Sequence, residues 1–277
     1  MTINCKGSLI DLSSPKVMGI LNLTPDSFYD GGKYKDDSQI LLQVEKMLQE
    51  GATFIDLGAY SSRPGADHIS IDEEEKRVLP IVSLILSKFP NAILSIDTFR
   101  SSIATKCIDA GAAIINDISA GNLDTDMIGI VGQLKVPYIM MHMKGTPQTM
   151  KSLNQYSDLV KEVQFYFSQK VAEARLAGIN DIIIDPGFGF AKDIDQNFEL
   201  LNKLELLKLQ ELPILAGVSR KSMIYKTLNS TPSESLNGTT SLNTIALLKG
   251  ASILRVHDVK EAIECVNLVN KYNNFTD

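Results

Sequence analysis

The chain predicts an α/β protein of one domain, a (β/α)8 barrel entered through a short N-terminal hairpin. Apolar runs of strand length alternate eight times with helical stretches, and no linker or composition break interrupts the alternation. The repeat averages ~32 residues, a size that suits barrel closure. Each strand also ends in polar groups that do not belong in a core: Asn22, Asp56, Asp97, Asn116, His142, Asp185, the Ser219-Arg220-Lys221 turn, and Arg255 with His257. In a barrel all eight strand ends share one mouth, so these groups would meet there. An open doubly wound sheet is the rival, but the first β-α turn carries no GxGxxG.

Residues 1–16 form an extension in which two alternating pieces, 2–5 and 8–12, flank Lys6-Gly7 as a hairpin would; residues 17–277 make the barrel. The first barrel strand, 17–22, is apolar up to Asn22, as burial on both faces demands, and then gives way to TPDSFYDGG. A helix over 37–50 has Ile40, Leu41, Val44, Met47 and Leu48 near helical spacing and stops at Gly51. Strand 53–58 leads through AYSSRPGADH to a helix over 72–88, and strand 92–97 leads through Thr98-Phe99-Arg100 to a helix ending at Ala110. Strand 113–117 precedes a short helix over 124–134; strand 136–141 precedes the longest helix, 157–177, closed by Gly178. Strand 181–185 opens PGFGFAK before a helix over 193–208. Strand 213–217 precedes VSRKS and a helical region reaching Lys249, interrupted near 229–238; strand 252–256 and a helix over 259–272 complete the series.

Composition narrows the function classes. With 44% hydrophobic and 22% charged residues the chain has an ordinary globular make-up. A net charge of -6 argues against a nucleic-acid binder that works by neutralising phosphates. Cys5, Cys107 and Cys265 are widely spaced and form no CxxC pair, which speaks against a disulfide framework or a cysteine zinc site and for a reducing cytoplasm. No apolar stretch reaches the ~18 residues of a membrane span, and the N-terminus has no signal-peptide layout.

The strand-end residues allow competing readings. Asp97 precedes a helix and suits an N-cap; it equally suits, with Asp185, recognition of a ligand edge rich in N–H donors. Asn116 offers a donor and an acceptor, as a heterocycle's edge requires. Arg255 and His257 flank Val256 and so point to one face, reading as an anion site that Arg63 on the second loop would complete, against the plainer reading of a structural Arg and a satisfied His. Asn22 with Asp26 and Asp30 suits either a hard cation or a turn. His68 reads as solvated, and His142 as either a loop support or a ligand contact. Phe190 in PGFGF could stack on a flat ligand. There is no GxSxG, HExxH or P-loop GKS.

In sequence the stretches MGILNLTPDSFYDGG, SSRPGA, SIDTFR, INDIS, MHMKGTPQTM, DPGFGF, GVSRKS and RVHD resemble, in order and spacing, the dihydropteroate synthases, folate-pathway enzymes inhibited by sulfonamides. The likeness runs from about Val17 to Asp258. It implies a cytoplasmic, homodimeric (β/α)8 barrel that joins p-aminobenzoate to 6-hydroxymethyl-7,8-dihydropterin diphosphate with Mg²⁺, giving 7,8-dihydropteroate and pyrophosphate by SN1-like loss of the leaving group. It further implies a pterin pocket of Asp97, Asn116, Asp185 and Lys221 walled by Ile118, Met140 and Gly217. Arg63, Arg255 and His257 would hold the diphosphate, with Asn22 as the metal contact. Phe28, Ser62, Pro64, Phe190, Lys221 and Ser222 would surround p-aminobenzoate. The catalytic set would be Asp30, Arg63, Lys221, Arg255 and His257. Loops 23–34 and 60–70 are expected to close over the diphosphate. Tyr60 and Ser62 stand where many members have Glu and Thr, and the retained Arg63-Pro64-Gly65 predicts sulfonamide sensitivity. Two rivals share parts of this pattern. A pterin-binding methyltransferase barrel gives no reason for the anion site, and a catalytically silent pterin or phosphate binder gives none for the full set.

Overall fold

In the computed structural model, which describes residues 1–23, 33–61 and 68–274, every strand but two joins one parallel sheet. The exceptions, β1 (Thr2–Cys5) and β2 (Ser8–Asp11), pair antiparallel as the expected hairpin. The parallel strands are β3 (Lys16–Asn22), β4 (Phe54–Gly58), β5 (Leu94–Asp97), β6 (Ile114–Asp117), β7 (Tyr138–Met141), β8 (Ile182–Asp185), β9 (Leu215–Ala216) and β10 (Ile253–Val256). Their order is β8-β7-β6-β5-β4-β3-β10-β9, and a parallel bridge from Ile184 to Ile214 joins the two ends into a barrel.

The strands are followed by α1 (Lys33–Gln49), α2 (Ile71–Lys88), α3 (Ser101–Asp109), α4 (Met127–Leu134), α5 (Leu159–Leu176), α6 (Ile194–Asn202), α7 (Ser222–Tyr225), α8 (Leu236–Leu248) and α9 (Val259–Asn273). Side chains anchor several starts: Ser70 accepts from Glu73 N ahead of α2, Asp158 from Lys161 N ahead of α5, and Asp193 with Gln196 forms a capping box at α6. Two helical expectations shift. The helix read over 193–208 is α6 followed by a 3₁₀ helix, Leu204–Gln210, and the region after VSRKS is the four-residue α7, a 3₁₀ turn at Pro232–Glu234 and then α8. In LELLKLQ the apolar residues continue past the end of α6, so periodicity alone does not reveal the break.

Strand alternation divides the core in two. Outward residues such as Val17, Ile115, Met140, Ile184 and Leu254 pack against the helices. Inward residues Met18, Phe54, Ile114, Ile139, Ile183, Leu215 and Ile253 fill the barrel near the strand starts, and Ile3, Cys5 and Leu12 of the hairpin complete that cluster. Asn4 N donates to Asp181 Oδ2 at 2.9 Å and Lys6 Nζ to the Gly111 carbonyl at 2.7 Å, which fixes the hairpin across this end. With the N-terminal end plugged, the polar strand ends are left to line the opposite mouth.

Candidate active site

The deepest charge at that mouth is Asp56, a fully buried carboxylate pointing inward from β4. A buried carboxylate is tolerable only when its lone pairs are used. Ser95 Oγ donates to it at 2.6 Å, Asn116 Nδ2 at 3.1 Å and Arg255 Nε at 2.6 Å. Arg255 Nη2 also donates to Asp97 Oδ2 at 2.7 Å, so one guanidinium crosses from β10 to carboxylates on β4 and β5. Burial pushes Asp97 up to about 7, opposed by Arg255 and reinforced by Asp56. Burial works against the Arg255 charge, but Asp56 and then Asp97 overcome it and raise its pKa. Asp97 is no helix cap: α3 has Arg100 at its N-cap, with no side-chain cap bond.

Asp185 ends β8 and is nearly buried. Its Oδ1 accepts from Gly187 N at 2.8 Å; burial raises its pKa, chiefly against the pull of Lys221. Lys221, drawn down to about 8 by burial and held up by Asp185, donates to the Phe188 carbonyl, and its Nζ lies 5.0 Å from the centre of the Phe190 ring. The turn carrying these groups needs glycine at 187: its φ is +71°, and a Cβ there would stand 2.1 Å from the His142 carbonyl oxygen.

The remaining expected residues fall as follows. A Cβ on Gly217 would stand 3.8 Å from Lys221 Nζ and 3.9 Å from Arg255 Cβ, so Gly217 faces the mouth. Ser219 Oγ accepts from His257 N at 3.2 Å and lies 3.0 Å from His257 Nδ1. Half-buried Asn22 pairs in register with Gly58, and Gly58 with Asp97, so the three lie side by side across β3, β4 and β5. Ile118 packs with Met141, Met143, Met150 and Ala191, with Phe190 against them; Ser222 opens α7. Met140 is a correction: it is fully buried in the layer between sheet and helices, and its inward neighbour Met141 joins Ile118 instead. Asp30, Arg63, Phe28, Ser62 and Pro64, with most of loops 23–34 and 60–70, lie outside the described residues.

Several groups were not read as site residues. Asp56 carried a signal, an acid inside the apolar run FIDLG. Lys192 Nζ is buried against His142 Nδ1 at 3.0 Å. Burial, followed by Lys192 and Lys144, lowers the His142 pKa well below the ordinary histidine value, and the ring packs edge-on against Tyr166, so His142 is a support. His68, exposed as expected, also meets Tyr60 OH at 3.1 Å and Arg100 Nη2 at 3.4 Å. Arg100 binds buried Glu74 at 2.6 Å, which ties the end of the second loop to α2.

Taken together, the mouth presents acceptors for N–H groups beside cations. Comparison with known proteins agrees. Residues 18–257 match the family described as pterin binding enzyme. The dihydropteroate synthase of Escherichia coli K12 is 41% identical over 97% of this chain and 95% of its own length. A Yersinia pestis dihydropteroate synthase solved as a sulfonamide drug complex superposes with a TM-score of 0.93 at 40% identity, covering 99% of this chain and 100% of that one. A Xanthomonas albilineans dihydropteroate synthase solved with 4-aminobenzoic acid gives 0.91 at 34% identity over 98% of each chain. The chain belongs to the pterin-binding enzymes, within the dihydropteroate synthase family.

Proposed function

We propose that the chain condenses 6-hydroxymethyl-7,8-dihydropterin diphosphate with p-aminobenzoate, giving 7,8-dihydropteroate and pyrophosphate. The observation that carries this is the meeting of Asp97, Asn116 and Asp185 with Arg255 and Lys221 in one mouth. Loss of pyrophosphate from the pterin methylene leaves a cation spread over the ring. Carboxylates that accept the ring's N–H groups stabilise that charge, and Arg255, Lys221 and His257 face the leaving anion. The arylamine is neutral near pH 7, so attack needs no strong base. Lys221 and Phe190 border the p-aminobenzoate position, with Ser222 beside Lys221.

Asn22 fits a magnesium ion. It offers one half-buried amide oxygen at the mouth, and magnesium commonly takes few protein oxygens and completes its shell with water and phosphate. When bound, such an ion supplies positive charge to the diphosphate. Arg63 and Asp30 join the catalytic set on the strength of the family resemblance, as do Phe28, Ser62 and Pro64 around p-aminobenzoate. The same resemblance supports a homodimer acting in the cytoplasm and inhibition by sulfonamides; no helix among the described residues is long and apolar enough to cross a membrane. The test is pyrophosphate release from purified protein with the pterin diphosphate, with and without p-aminobenzoate. Release that requires both substrates is expected; a protein that releases none with both present would lose this assignment.

A further inference from the structure

The proposed chemistry leaves one buried cation without a task. Lys192 closes the PGFGFAK turn and is 9% exposed. Its Nζ donates to the Gly187 carbonyl at 3.1 Å and the Phe190 carbonyl at 3.0 Å and lies 3.0 Å from His142 Nδ1. An ammonium places one N–H on each of the three, with His142 Nδ1 as the acceptor. No carboxylate pairs with it among the described residues.

The turn it grips has little backbone support of its own. Gly187 and Gly189 both have positive φ, and the internal bond is Phe190 N to the Gly187 carbonyl at 3.1 Å. Lys192 takes the carbonyls of 187 and 190, and Lys221 takes that of 188 from the mouth side. Gly187 N in turn donates to Asp185, so the same turn sets the Asp185 carboxylate and the Phe190 ring.

We propose that Lys192, as an ammonium, is a positioning residue that locks the PGFGF turn and so presents Asp185 to the pterin and Phe190 to p-aminobenzoate. This rests on the functional reading above. Charged and titratable groups around it are His142 at the end of β7, Asp185 on β8, Lys221 before α7 and Lys144 in the loop after β7; Tyr156 OH donates to the adjacent Ala191 carbonyl. Burial lowers the Lys192 pKa to about 7, with Asp185 opposing, so the clamp weakens as the pH climbs past neutrality.

The test is steady-state kinetics of Lys192→Met against the unaltered protein from about pH 6 to pH 9. At the acid end the KM for each substrate rises about tenfold while kcat stays within about threefold, the size expected for losing charge-assisted hydrogen bonds that position bound ligand. The KM ratio between variant and unaltered protein then shrinks toward the alkaline end, because there the unaltered lysine has lost its proton. Titrations of Asp97, Asp185 and Lys221 occur in both proteins and largely cancel in that ratio. If the methionine variant does not fold, Lys192→Gln, which keeps an N–H donor, carries the same comparison with a smaller change. An unchanged KM, a ratio flat with pH, or a loss confined to kcat overturns the role while leaving the functional reading intact. An unaltered protein that forms no dihydropteroate overturns both.

Discussion

Replacing Arg255 with methionine keeps most of the apolar stem and removes the cation shared by Asp56 and Asp97. Asp56 would retain Ser95 and Asn116 as donors, whereas Asp97 would lose the one side-chain partner it has among the described residues. Breaking a buried ion pair typically costs ~3–5 kcal/mol, so a loss of that order is expected at about pH 8. The sign of the pH dependence follows from Asp97. Its folded pKa, about 7, lies above the ordinary 3.8, so between those values the folded state holds a proton the unfolded state has released. This group therefore lowers stability as pH rises through the window, with the cost complete above it. Without Arg255 the folded pKa climbs further, so the cost of the substitution grows toward alkaline pH. At about pH 5 the loss should be smaller by at least ~1 kcal/mol, since Asp97 can then take up a proton. Urea unfolding followed by far-UV circular dichroism at both pH values measures the difference. A loss under ~1 kcal/mol at about pH 8, or equal losses at both, would refute the shared-cation argument.

Three other outcomes are expected. Met141→Ala should raise the KM for the pterin diphosphate, while Met140→Ala should leave KM alone and cost ~2–4 kcal/mol of stability in urea; the reverse pattern would put the wrong methionine in the mouth. Asp185→Asn turns an acceptor-only group into one that also donates, and should weaken pterin binding by ~10²-fold or more in calorimetry; unchanged affinity would remove Asp185 from the pocket. A sulfonamide should inhibit competitively with p-aminobenzoate, and turnover indifferent to it would contradict the reading of the Arg63-Pro64-Gly65 loop.

The fold was legible because a barrel strand must be apolar on both faces until it reaches the mouth, and that rule writes itself into the sequence as VMGILN, ILSID, AIIND and DIIID. Partners were less legible. Arg255 reads locally as half of an anion site, yet its carboxylates come from 199 and 158 residues earlier in the chain, and no local pattern announces that pairing. The Met140 expectation missed by one residue, which in a strand is the whole distance between facing the mouth and facing the helices. Lys192 bears no distinguishing mark in the sequence; in the fold its Nζ meets His142 Nδ1, 50 residues earlier in the chain, again beyond local reach.

The internal pairing of Arg255 bears on how the mouth selects its ligand. The guanidinium has five N–H groups, and Asp56 and Asp97 draw on two of them. An isolated anion arriving there must compete with both carboxylates. A pterin that gives its own N–H groups to Asp97 loosens one of those holds, while Asp56, fixed by Ser95 and Asn116, keeps the guanidinium in place. Under the proposed function, recognition of the heterocycle would thus strengthen the field acting on the diphosphate it carries. An unpaired arginine would bind any phosphate well; one held by two carboxylates gives up affinity for anions in general and gains discrimination in favour of the anion attached to a pterin.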